Sequence, residues 1–417
     1  MKNRFSIELK NLLNQKGLSI YGLSEEIGIE RTRVQKFISG SRHMSLDVFR
    51  QIIKILDPAP DKCLELHQLY EWESAGELVF REHQKFIEIF KDFNHFQKEK
   101  SYFLKSSKMM FDYEIGDLPL SFVEGNAQIL ATIENLFIKE MKKEKDAHVI
   151  ISLRWDYAML EQLILRMDHA DIEGGLVQNI IPIVNKKNID NNLDALKSAF
   201  HLACLKNINY EPRFYYTASK KDDISVIFPS YIITSTNLMF IDHDLKSAVI
   251  IDRPEVIALY RKKALDILAQ AKPLFKKTIM EEVVSNLPSF IYEGKDERIE
   301  YISAQAAIDF LKRVDPIQKD EREALIRKFL NENSQAASVF LLRDQSFASE
   351  NQVQFRYTEK NRAFEILFVC LSSQKLLALK VQELGMAKSF QDFIKYLPDS
   401  SYVYSQEEIQ KWFKKTP

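Results

Sequence analysis

The chain has 417 residues, 46% hydrophobic and 28% charged, with 58 Lys+Arg against 59 Asp+Glu and a formal net charge of −1. That length exceeds the ~250–300 residues at which a single core stops growing, so two or three domains are expected. Balanced charge excludes a polycationic nucleic-acid or membrane coat, and no apolar run approaches the ~18 residues of a membrane span.

The charge is unevenly placed. Residues 1–56 hold ten basic side chains (Lys2, Arg4, Lys10, Lys16, Arg31, Arg33, Lys36, Arg42, Arg50, Lys54) and five acidic ones (Glu8, Glu25, Glu26, Glu30, Asp47). A basic head on an acidic body is the layout that DNA binding requires. Four amphipathic segments fill this head. Leu9, Leu12 and Leu13 recur at helical spacing, and Gly17 stops the first helix. Ser19 is placed to cap the second, whose inward residues are Leu23 and Ile27. Gly28 supplies the turn, and Ile29, Val34 and Phe37 give the third helix its buried stripe. Its other face reads Glu30, Arg31, Thr32, Arg33, Gln35, Lys36 and Ser39, side chains that hydrogen-bond base edges and phosphates. Gly40 ends the helix, Arg42 and His43 follow in a loop, and Ser45 is placed to cap the fourth.

On Gly17-Leu18-Ser19, Leu23, Gly28-Ile29, Val34, Gly40 and Ser45-Leu46, this head resembles the Cro/C1-type (phage-repressor-like) helix-turn-helix family. The chain departs from that family at Ile20, where a Gln often follows the capping Ser, and at Ser24, where Ala is usual. The resemblance implies DNA as partner. Arg31 and Arg33 lie ~200° apart on a helix, so they cannot read one base together. The expectation is Arg33 with Glu30 or Arg31 on base edges, and Lys36, Ser39, Arg42 and His43 on phosphates.

Pro58 and Pro60 break the chain after residue 56, and helical periodicity resumes over 61–112 with Leu64, Leu69, Tyr70, Trp72, Phe86, Ile89, Phe90, Phe93 and Phe96. That stripe suits a core or, alternatively, a dimer seam holding two heads at a fixed spacing. Over 113–285, strand-like runs (148–153, 178–184, and four between 213 and 252) alternate with helical ones (126–145, 157–167, 193–207, 254–275). Alternation of this kind argues for an α/β domain. Residues 286–417 mix strands (337–343, 353–358, 365–372, 375–381) with helices (304–314, 321–333, 389–397, 406–415) and read as a smaller α+β domain. The fold class expected is therefore multi-domain, an all-α head over residues 1–60 followed by an α/β body.

Residues 228–274 resemble the closing strands and last helix of phospholipase-D-like sensor domains of transcription regulators, which implies ligand sensing. Enzymes of that family need His-x-Lys-x₄-Asp. His83-Gln84-Lys85 has Phe90 where Asp is required, so no phosphodiesterase is expected.

Other chemistry finds little support. Glycine is scarce at eleven residues, and neither GxGxxG nor GxxxxGK[ST] occurs, so no nucleotide cofactor is expected. No GxSxG elbow is present. Cys63, Cys204 and Cys370 form no CxxC pair and MKNRFSIELK is no signal segment, which suits a reducing cytoplasm without zinc. Asp168, His169, Asp171 and Glu173, and separately Asp242, His243 and Asp244, could hold a cation but read better as polar turns. Trp155, Tyr157, Arg213, Tyr215 and Tyr216 are candidates for a ligand pocket or for packing. The expected function is a cytoplasmic transcription regulator that binds operator DNA as a homodimer under a small-molecule or peptide effector, and not an enzyme. The alternatives are an antitoxin-like protein-interaction regulator and an enzyme carrying a DNA-targeting head.

Overall fold

The computed structural model describes residues 4–103, 120–143, 146–152, 174–184, 190–203, 209–217, 230–242, 245–280, 288–303, 307, 338–343, 353–370, 375–400, 402–404 and 408–409. A helical head is followed by a larger mixed α/β body built on two sheets.

The head consists of α1 (Arg4–Gln15), α2 (Ile20–Ile27), α3 (Arg31–Ile38), α4 (Leu46–Leu56) and α5 (Pro60–Ala75). Leu9, Leu23, Val34, Phe49, Ile52 and Leu56 are fully enclosed in one core, which α5 completes with Leu66 and Tyr70. Gly28 ends α2 at φ +67°, a left-handed conformation that costs glycine little, and its N–H caps the helix on Glu25 and Ser24 carbonyls. Ser19 accepts from the Gly22 N–H at 3.0 Å, so the expected cap of α2 is made. Removing it with Ser19→Ala should cost about 1 kcal/mol and speed hydrogen exchange of the α2 amides about fivefold. Ser45, by contrast, stands at the N-cap of α4 but its hydroxyl makes no capping bond. The first turn of α4 instead carries Asp47, whose charge suits a helix N-terminus.

An elbow at Gly76 (φ +85°) leads into α6 (Glu77–Phe103). The stripe on α6 that suited a core or a dimer seam lies inside the chain's own core: Phe86, Ile89, Phe90 and Phe93 are all fully buried. Phe90 meets Phe290 at 4.6 Å and Phe355 at 5.2 Å between ring centroids, and Phe93 stacks on Phe200 at 3.6 Å.

The first sheet has eight strands in the order β1-β7-β6-β5-β2-β3-β4-β8. Its members are β1 (Leu120–Glu124), β2 (His148–Ser152), β3 (Leu176–Val184), β4 (Asn209–Thr217), β5 (Ser230–Ile233), β6 (Leu238–Ile241), β7 (Ser247–Ile251) and β8 (Lys272–Pro273). Strands β2, β3 and β4 run parallel, and β5, β6 and β7 form an antiparallel meander that ends beside β1. Side chains alternate as a pleated strand demands. Val149 and Ile151 of β2 enter the large core shared with α7 (Asn126–Met141) and α8 (Asp190–Ala203), while Ile150 faces α9 (Pro254–Gln270) with Ile257, Ala264 and Leu268.

The second sheet has seven strands in the order β12-β11-β10-β13-β14-β15-β9. These are β9 (Phe275–Met280), β10 (Pro288–Glu293), β11 (Arg298–Ser303), β12 (Ser338–Leu342), β13 (Val353–Thr358), β14 (Ala363–Cys370) and β15 (Lys375–Val381), closed by α10 (Leu384–Tyr396). It repeats a layout of the first sheet: a meander (β13, β14, β15) returns beside an early edge strand (β9) and leads directly into a helix. The two sheets are spliced at Leu274, whose N–H donates to Pro212 of β4 while its carbonyl accepts from Gln382 beside α10, both at 2.8 Å. One contiguous core serves both sheets, with α6 and α10 packed into it.

Candidate nucleic-acid interface

The third helix places its side chains as its spacing requires. Val34, Phe37 and Ile38 point into the head core at 0–3% exposure. Glu30, Arg31, Thr32, Arg33, Gln35, Lys36, Ser39, Arg42 and His43 are all exposed. At ~100° per residue, Thr32, Lys36, Gln35 and Ser39 occupy the middle of the outward face. Arg31 and Arg33 stand at its two margins, and the Arg33 guanidinium folds to 5.7 Å from the Phe37 ring. Arg31, Gln35, Lys36 and Arg42 make no side-chain hydrogen bond or ion pair with a described residue, so their donors are available to an incoming ligand.

Four residues of the expected set, Glu30, Thr32, Ser39 and His43, have side-chain partners within the head. Glu30 is the N-cap of α3 rather than part of its face, and its carboxylate accepts the Thr32 hydroxyl. Ser39 donates to the Lys36 carbonyl at 3.2 Å and shares a 2.8 Å hydrogen bond with Ser41. His43 lies flat against Tyr70 of α5, centroids 5.3 Å apart at 24°. Sequence reasoning passed over Tyr21, 58% exposed on α2. Its only signal was an aromatic two residues after the capping Ser19, on a short helix whose core needs are met by Leu23.

The body grips the head from the α4 and α5 side. Arg50 of α4 donates to the Ser400 carbonyl at 3.0 Å. His67 of α5, 7% exposed, sits under the charges of Arg343, Arg50 and Glu408, and its pKa is pushed down to about 4, chiefly by burial. Across the elbow, His83 Nδ1 lies 3.5 Å from Glu71 Oε1, with both residues buried and His83 stacked on Tyr396. Burial raises the Glu71 pKa. Arg50, counted in the basic head, is thus a docking residue.

The remaining candidates separate. Asp168, His169, Asp171, Glu173, Trp155, Tyr157, His243 and Asp244 lie outside the described residues. The Asp242 carboxylate accepts from Lys246 N, Ser247 N and Ser247 Oγ at 2.7–3.0 Å, which is the work of a turn. Tyr215 packs against the α9 layer, and Tyr216 donates to Glu383 Oε1 at 2.7 Å, tying β4 to the N-terminus of α10. Of the pocket candidates, Arg213 lines a cavity. No helix among the described residues is long and apolar enough to cross a membrane.

No protein-family model and no curated protein sequence matches the chain. Among solved structures, TrmBL2, an archaeal chromatin protein with a novel mode of DNA binding, aligns over 61% of this chain and 97% of its own, at 13% identity and a TM-score of 0.24. Polyphosphate kinase from Porphyromonas gingivalis aligns over 71% of this chain and 52% of its own, at 8% identity and a TM-score of 0.22. At those scores neither likeness bears on fold or function.

Proposed function

We propose that the chain is a sequence-specific DNA-binding transcription regulator, without enzymatic activity, that acts as a homodimer under control of a ligand bound by its body. One observation carries this reading. The body docks on α4 and α5, and the outward face of α3 remains exposed with Arg31, Gln35 and Lys36 uncommitted. A basic, outward helix face left open by an attachment behind it is the geometry that enters a major groove. One such helix covers a few base pairs, so useful affinity requires two heads on a dyad-related site.

The test is sequencing of genomic DNA fragments retained by the purified protein at physiological salt, beside an Arg31→Ala/Arg33→Ala variant. Recovery of a few sites sharing a dyad, lost in the variant, is the expected result. Equal recovery by both proteins would remove DNA reading from α3. On a recovered site, Arg33→Ala should cost ~1–3 kcal/mol at one base position only. Lys36→Ala should weaken every sequence alike and reduce the slope of log K against log salt by about one. Indistinguishable behaviour of these two variants would overturn the division between base and phosphate contacts.

A further inference from the structure

Where the two sheets are spliced, they leave a cavity of about 300 Å³ between β4 and β9. Its walls are of two kinds. Phe275 and Leu379, 9% and 1% exposed, give it an apolar side, together with the ring of Tyr210. Two basic residues, Arg213 and Lys277, line it beside the one carboxylate of Glu211. That carboxylate is already engaged, since it accepts from Gln178 Nε2 at 3.0 Å.

The Arg213 guanidinium is poorly satisfied for a group with five N–H donors. Its Nη1 reaches the Leu268 and Ala271 carbonyls only at 3.4 Å, its Nη2 stands 4.0 Å from Glu211, and its enclosed Nε has no partner. Lys277, on the opposite strand, forms no ion pair with a described residue. Two cations with spare donors, one spent anion and an apolar wall select for negative charge attached to a small apolar body.

The geometry points to a binding site for a small organic anion, a carboxylate or phosphate ester with a short apolar or aromatic group, bridging Arg213 and Lys277 across the splice. Such a ligand touches both sheets at the residues that join them, because Leu274 between them is hydrogen-bonded to each. Its regulatory consequence rests on the reading of the chain as a ligand-controlled regulator. The binding itself does not.

The experiment is calorimetric titration of the full, DNA-free chain with benzoate and with phenyl phosphate, using phenol as the uncharged control. Saturable binding of at least one anion at millimolar concentration is expected, with phenol and the exposed-site variant Lys277→Gln each weaker by about tenfold or more. The stronger of the two anions tells carboxylate from phosphate. Arg213→Gln should show the same loss. If that variant unfolds, Lys277→Gln decides alone. Absence of saturable binding, phenol binding equal to the anions, or undiminished binding to Lys277→Gln would each overturn the site. Binding that leaves operator affinity unchanged would keep the site and remove its control of DNA binding.

Discussion

Replacing Phe90 with Ala should destabilise the body by about 3–5 kcal/mol, the usual cost of emptying an aromatic site in a core that cannot collapse around the gap. The site is of that kind. Phe90 is fully buried, with Phe290 of β10 at 4.6 Å and Phe355 of β13 at 5.2 Å, both on strands that cannot follow it inward. One turn along, Phe93 stacks on Phe200 of α8, which covers the first sheet. The helix therefore joins the layers of both sheets, and at its other end it carries the elbow to the head. Urea unfolding followed by circular dichroism provides the measurement, with Phe122→Ala as control. Phe122 is 60% exposed on β1, and its removal should change stability by no more than ~0.5 kcal/mol. Equal losses in the two variants would mean that α6 is not the common support of the sheets.

Acid should loosen the joint between head and body through His67. Its folded pKa of about 4 lies below the ordinary 6.5, so the unfolded chain binds a proton more readily than the folded one. The stabilising difference is therefore complete above pH ~6.5 and is lost as the pH falls from there toward ~4. Over that window it amounts to about 3 kcal/mol, an upper value because burial of the imidazole is nearly but not wholly complete. The physical cause is burial first and then the guanidinium groups of Arg343 and Arg50, only partly offset by Glu408. Glu71 acts in the opposite sense. Its raised pKa favours the folded state at low pH and is a cost as the pH rises. His67→Gln isolates the first effect: denaturation midpoints should fall less between pH 6.5 and 4 in the variant than in the parent. A parent without that larger fall would place the proton elsewhere.

The head was legible residue by residue because its signals are local. Gly28 in a left-handed turn, Ser19 as cap and Val34 with Phe37 beneath α3 are properties of a few neighbouring residues, and the structure places each as its spacing requires. The central strands β2, β3, β7 and β13 were legible for a similar reason, as short β-branched or aromatic runs. Strands β1, β9, β10 and β11 were not. β1 is five residues on a sheet edge with Phe122 turned outward, and β9 carries Lys276 and Lys277, so neither shows a buried pattern. Their identity as strands comes from partners far along the chain, Ile251 to Ser247 for β1 and Val381 to Leu376 for β9.

The sequence by itself determined the exposed, basic face of α3 and the alternation of strand and helix behind it, because helical and strand periods are set by backbone geometry alone. Only the tertiary structure decided what those pieces do together. It enclosed the aromatic stripe of α6 in the chain's own core, gave Arg50, one of the basic charges of the head, a bond to Ser400, and brought Arg213 and Lys277, 64 residues apart in the chain, to the walls of one cavity. Each of these depends on which distant surface is available to bury against or bond to. That choice is made by the free energy of the whole core rather than by any window of sequence.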